Sequence, residues 1–209
     1  MDRRNHVTSA LAAVLMLIDH IGALFSPEQI VFRLIGRLSF PLFAYGIAQG
    51  VAHTSNFQRY LFRILLAAII SQPIYRLAFE NDNLNPLFTL ALGGVVLWLW
   101  RRDGKERFLA GGLLILSYWV KCSYSWYGVA TIFLYGFYES ARAVSFYWQG
   151  ILQVVYGYFT GTWLQGLSIL SFPLAGVEWK RNIYLPKYFF YVFYPLHLII
   201  LIGIREFNS

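Results

Sequence analysis

Long apolar runs, broken by short polar or Pro/Gly stretches, occupy most of the chain, without the strict alternation of a half-buried strand. Nine runs can be bounded, at about 7–25, 38–53, 58–79, 84–100, 108–121, 125–140, 143–159, 162–177 and 184–205. Most approach the ~20 residues that cross a bilayer as a helix. In lipid only helices and closed barrels satisfy their own backbone, and the alternation that a barrel needs is missing. The pattern therefore predicts an all-α, polytopic integral-membrane helical bundle of about nine (eight to ten) transmembrane helices, forming a single domain over 1–209. The sixth to eighth runs are short and aromatic, so eight spans with one re-entrant piece is the variant they allow.

Composition agrees with the pattern. Charged residues make up 13% of the 209, against about 25% in a soluble domain. Aromatics reach 19%, more than a soluble core of this size needs, and Trp and Tyr favour the bilayer interfaces. The formal charge of +7 does not point to nucleic acid, because the basic residues form short clusters between apolar runs. Alternate loops put twelve of the seventeen Lys and Arg on the N-terminal side, Arg3, Arg4, Arg181 and Lys187 among them, and that side is expected to be cytoplasmic. The first run lacks a small-x-small cleavage site and reads as a retained helix, not a removed signal peptide. Cys122 is the single cysteine, so neither an internal disulfide nor a cysteine-built metal site is expected.

The costly residues lie in the first run. Leu17 to Gly22 reads LIDHIG, placing Asp19 and His20 inside a membrane helix, where an ionisable side chain costs roughly 2.5 to 3.5 kcal/mol on insertion scales. Such residues normally face a bundle interior or a wet cavity, so this pair marks the candidate site. The following loop, 26–37, holds Arg33 and Arg37 on the outer side, against the positive-inside rule. Successive helix residues point about 100° apart, so Asp19 needs a partner other than His20; Arg37 is expected to provide it, with Arg33 the other candidate. Gln72, Arg76 and Glu80 share one face of the third helix, where Arg76 can pair with Glu80. Gly46-x-x-x-Gly50 and Gly157-x-x-x-Gly161 read as packing motifs.

LIDHIG, with IGRLSFPLFAY (35–45), GVAHTSN (50–56), RYLFRILLAAIISQPIY (59–75), LNPLFTLALG (84–93) and KYFFYVFYPLHLIIL (187–201) in this order, resembles the TraX family. The likeness covers about the first 95 and last 25 residues, and 105–180 reads as generic membrane sequence. Family members resemble the conjugative protein that N-acetylates pilin, and are related to larger membrane acyltransferases that move acyl groups from acyl-CoA to envelope substrates. Those relatives carry an arginine about ten residues before the first-helix histidine, where this chain has Ser9-Ala10.

The resemblance implies acetyl-CoA as donor, no metal, an envelope protein, lipid or glycan acceptor bearing an amine or hydroxyl, and a place in the bacterial inner membrane with a cytoplasmic N-terminus. Acetyl transfer needs a base, oxyanion stabilisation and a grip on CoA. His20 is the candidate base, since imidazole titrates near neutrality. Asp19 and Arg37 support it, and His197, beyond the helix-kinking Pro195, is a second intramembrane candidate. Arg33, His53, Asn85, Arg101 and Arg102 are the candidate donor-binding residues, although helix capping explains Asn85 equally and a topology signal explains the Arg101-Arg102 cluster. Two other classes remain open. A proton-coupled transporter also explains buried Asp, His and Arg, and a non-enzymatic pilus assembly factor needs them only as structure.

Overall fold

A computed structural model describes residues 6–177, 179–180, 183–186 and 188–208, and these residues contain helices without a named strand. In chain order the helices are α1 (Val7–Phe25), α2 (Ile30–Gly36), α3 (Ser39–His53), α4 (Phe57–Phe79), α5 (Pro86–Trp100), α6 (Glu106–Leu116), α7 (Ser125–Tyr135) and α8 (Arg142–Thr160). A 3₁₀ helix, Leu164–Leu170, leads into α9 (Ser171–Ala175), and α10 (Phe189–Asn208) closes the chain. Each of the nine runs contains helix, and four stretches are long and apolar enough to cross a membrane: Val7–Phe25, Ile30–His53, Phe57–Phe79 and Phe189–Phe207. α6 and α7, at 11 residues each, extend about 16 Å at 1.5 Å per residue. Of the basic residues used to orient the chain, Arg3, Arg4, Arg181 and Lys187 lie outside the described residues.

The expected first loop is mostly helix. Only Ser26–Gln29 separates α1 from α2, and α2 and α3 form one 24-residue apolar stretch broken at Arg37-Leu38. Pro41 has no N–H to offer the carbonyl four residues back, and that carbonyl belongs to Arg37, so the ladder lapses there. Arg33 and Arg37 consequently sit on or beside a packed helix.

α3 runs through the centre, burying Phe40, Leu42, Ala44, Ile47, Ala48 and Val51 against α1, α4, α5 and α7. Small residues let the helices close up. Gly93 packs on Ile132, Gly128 on Thr89 and Phe40, and Gly50 against the Tyr60 ring. Gly50 thus meets the packing expectation, whereas its motif partner Gly46 lines a cavity. Gly157 takes the Trp163 ring, but Gly161 caps α8 at φ 68°, a turn position.

Asn85 accepts from the Leu87 N–H to cap α5, while its amide donates to the Ala68 carbonyl at 2.8 Å and to Gln72 Oε1 at 3.0 Å. The reading of Asn85 as cap, not cavity wall, is the one the geometry gives. Glu80 does not pair with Arg76. It leaves α4 in the left-handed region at φ 51°, which turns it off the Arg76 face and brings it 3.6 Å from Arg205.

Candidate functional site

One cavity of about 730 Å³ follows α1 through the bundle. At the N-terminal end of α1 its mouth is polar, with His6, Thr8, Ser9, Gln49, His53 and Tyr60. The waist is apolar, formed by Met16, Phe43, Ile47, Leu90, Tyr191 and Phe193. Asp19, His20, Gly36 and Tyr124 close the far end. Thr8 and His20 are twelve residues apart on α1, about 18 Å at 1.5 Å per residue.

His20 and His197 meet at that far end. Their Nδ1 and Nε2 atoms are 2.8 Å apart, and both residues are buried, at 7% and 5% exposure. His197 Nδ1 lies 2.8 Å from the Phe193 carbonyl, which can only accept, so this nitrogen carries the hydrogen. In a neutral pair His197 Nε2 is then bare and accepts from His20 Nδ1–H, leaving the lone pair of His20 on Nε2. A ring held in that tautomer is ready to take a proton, and the bond to His197 persists once it has done so. The Phe79 ring, edge-on at 4.9 Å, fixes another side of His20. His197 itself is not among the cavity-lining residues. It stands behind the cavity-lining His20 and reaches the site only through the bond between the two rings.

Asp19 is paired, but with Arg33. Arg33 Nη1 lies 2.8 Å from Asp19 Oδ2, and Arg37 instead donates to Gln165 Oε1 at 3.3 Å. The reason is the helical form of 30–36: Arg33 lies on α2, which packs along α1, whereas Arg37 follows the break and turns toward the 3₁₀ helix. Gly36 is required here, because the Asp19 carboxylate occupies the space of its missing side chain. Asp19 lines the cavity, and its Oδ1, packed against Gly36, is buried without a hydrogen-bond partner.

Of the expected donor-binding residues, His53 lines the mouth, where its Nδ1–H donates to the Gln49 carbonyl at 2.9 Å. Arg33, Asn85, Arg101 and Arg102 do not line the cavity. Arg102 stacks over Trp98 at 3.8 Å and Arg101 donates to the Gly136 carbonyl, both at the end of α5. Arg63, one helical turn from Tyr60, has a buried Nε without a partner, and no ion pair to it occurs among the described residues. Among the described residues no cluster could hold a metal.

Sequence reasoning missed Tyr124, whose ring stacks on Phe40 at 3.8 Å, and the buried chain Gln165–Tyr127–Gln153. The signal available was the presence of Gln149, Gln153 and Gln165 inside apolar runs, where a polar amide needs a partner. Cys122 is buried, and that burial pushes its thiol up and away from the reactive thiolate.

"Protein TraX" of Escherichia coli is 33% identical over 131 residues, covering 61% of this chain and 52% of its own length. "Probable fimbrial assembly protein FimC, serogroup H1" of Dichelobacter nodosus is 32% identical over 105 residues, 43% of each chain. "Uncharacterized protein RP591" of Rickettsia prowazekii (strain Madrid E) is 27% identical over 134 residues, again 61% and 52%. The aligned regions span about half the length of these curated relatives. No solved structure matches. The TraX protein family matches residues 5–205, including the middle region that reads as generic, and the chain belongs to this family.

Proposed function

We propose that this protein is a multi-pass membrane acetyltransferase that moves an acetyl group from acetyl-CoA to an amine or hydroxyl of an envelope acceptor. The observation that carries the reading is the His20–His197 pair at the far end of a long cavity, with a bare Nε2 on His20. In this scheme the N-terminus is cytoplasmic, acetyl-CoA arrives at the mouth, and its pantetheine arm follows the apolar waist toward His20. Arg63, over the mouth-lining Tyr60 ring, and His53 hold the CoA phosphates, as basic groups beside a solvent-facing opening can.

When the acceptor is an amine, Asp19 Oδ1 receives one of its N–H groups and orients it, while the other hydrogen faces His20. The acceptor lone pair forms the new C–N or C–O bond while its proton passes to His20 Nε2. The thioester C–S bond then breaks, and the departing CoA sulfur takes that proton back from His20. His197 keeps the imidazole in the required tautomer and spreads the charge that forms on it, and base catalysis of this kind contributes about 10² to 10⁴-fold.

The reading is tested by incubating purified protein with radiolabelled acetyl-CoA and envelope fractions. Label is expected in an acceptor with the wild type and not with His20→Ala. Transfer undiminished in His20→Ala overturns the assignment of the base. A second reading is favoured by the relative named as a fimbrial assembly protein, namely a pilus assembly factor without catalysis. It predicts that acetyl-CoA gives no thermal stabilisation of the solubilised protein, whereas an acetyltransferase is stabilised by its donor.

A further inference from the structure

Two arginines sit beside the reacting end, and their environments differ. Arg33 is neutralised by Asp19. Arg37 has no carboxylate partner among the described residues; its guanidinium donates to the neutral Gln165 amide, and its Nε is buried without any acceptor. A guanidinium without a carboxylate in contact is expensive in an apolar segment, and a buried donor left unmade costs about 1–3 kcal/mol. Nonetheless the guanidinium is held in place. Gln165 Oε1 accepts from Arg37, and Gln165 Nε2 donates to Tyr127 Oη at 3.2 Å, which fixes the amide from both sides. Tyr127 is fully buried, receives a second bond from Gln153 at 2.9 Å and meets Ser168 Oγ at 3.0 Å.

Three elements, α7, α8 and the 3₁₀ helix, thus converge to aim one positive charge. Arg37 does not itself line the cavity, but it directly follows Gly36, which does and which packs on the cavity-lining Asp19 carboxylate. The CoA phosphates belong, on the scheme above, to the opposite mouth, so the anion for Arg37 must come with the other substrate.

We infer that Arg37, positioned by Gln165 and Tyr127, binds an anionic group, carboxylate or phosphate, carried by the acceptor close to its reacting amine or hydroxyl. This assigns the acceptor a chemical class and rests on the acetyltransferase reading, with His20 taking the nucleophile's proton, Asp19 Oδ1 orienting an amine nucleophile and Arg37 binding its anionic neighbour.

The full chain in detergent is titrated with four small amines, O-phosphoethanolamine and glycine as anionic probes, ethanolamine and glycinamide as their neutral counterparts, with binding read by calorimetry. One charge-assisted contact is expected to make the anionic members bind about tenfold tighter. Arg37→Gln is expected to erase the difference, Arg37→Lys to keep part of it, and Gln165→Ala to weaken it by about threefold through loss of one positioning bond. A preference for O-phosphoethanolamine alone identifies a phosphate site, and a preference for both identifies a general anion site.

Equal binding of all four, binding of none, or a preference that survives Arg37→Gln overturns the inference. Labelled acetyl-CoA is tested on the same preparations. Charge preference without acetyl transfer would retain the anion site and reject the enzymatic reading, while transfer without charge preference would do the reverse.

Discussion

The two ends of the cavity solve the problem of polar groups in a membrane protein differently. At the far end the imidazoles and the carboxylate are tied to protein groups, His20 to His197, His197 to the Phe193 carbonyl and Asp19 to Arg33, while Asp19 Oδ1 and Arg37 Nε stay without a partner. At the mouth the polar side chains His6, Thr8, Ser9, Gln49 and His53 are close to solvent, and Arg63 carries an unpaired Nε. Water can stabilise charge at the mouth but not deep in the bundle, so charges at the far end must be held in place by protein groups. The lesson is that substitutions at the far end remove preorganisation, whereas those at the mouth change only affinity.

That contrast fails if the following outcomes are not seen. The largest effect is expected from His20→Ala, with acetyl transfer falling by about 10³-fold while donor binding persists, measured with labelled acetyl-CoA. His197→Ala should follow with a loss of about 10²-fold, because the tautomer and orientation of His20 are released; equal KM values for donor in this variant and the wild type would place the effect on chemistry. Arg33→Ala strands the Asp19 carboxylate and is expected to destabilise by about 3 kcal/mol in detergent denaturation, with Asp19→Asn restoring part of that loss.

Asn85→Ala removes a cap and two interhelical bonds, an expected loss of about 1–2 kcal/mol without an effect on KM. Smallest is Arg63→Gln at the mouth, expected to raise the KM for acetyl-CoA by about threefold and to leave kcat unchanged, as for an exposed charge contact. A kcat loss in Arg63→Gln comparable to that in His197→Ala would remove the distinction between the ends.

Much of the far end was legible in the chain. Asp19, His20 and His197 stand out because ionisable groups in apolar runs are costly, and that cost is visible in one dimension. Their partners were not legible. His20 and His197 are 177 positions apart and meet only because α1 and α10 run parallel against α4. Arg37 appeared the better partner for Asp19 on the assumption that 26–37 was a loop; α2 reverses that choice, since helical 30–36 lays Arg33 along α1. Arg101 and Arg102 mark a loop correctly by charge, but charge does not say whether a loop reaches a cavity, and Arg102 is stacked on Trp98. The Gln165–Tyr127–Gln153 chain escaped notice because amides and tyrosines carry no formal charge and their burial depends on which helix covers them.

Composition and periodicity by themselves determined that this chain is helical and apolar enough for a membrane, because backbone satisfaction in lipid leaves few alternatives. They also determined where the expensive residues lie. Only the tertiary structure decided which of those residues touch, through the break at Arg37-Leu38, the space left at Gly36 and the packing of α10 beside α1. The physical reason is range: insertion energy is a sum over local residues, whereas a hydrogen bond of 2.8 Å between two imidazoles depends on the placement of whole helices.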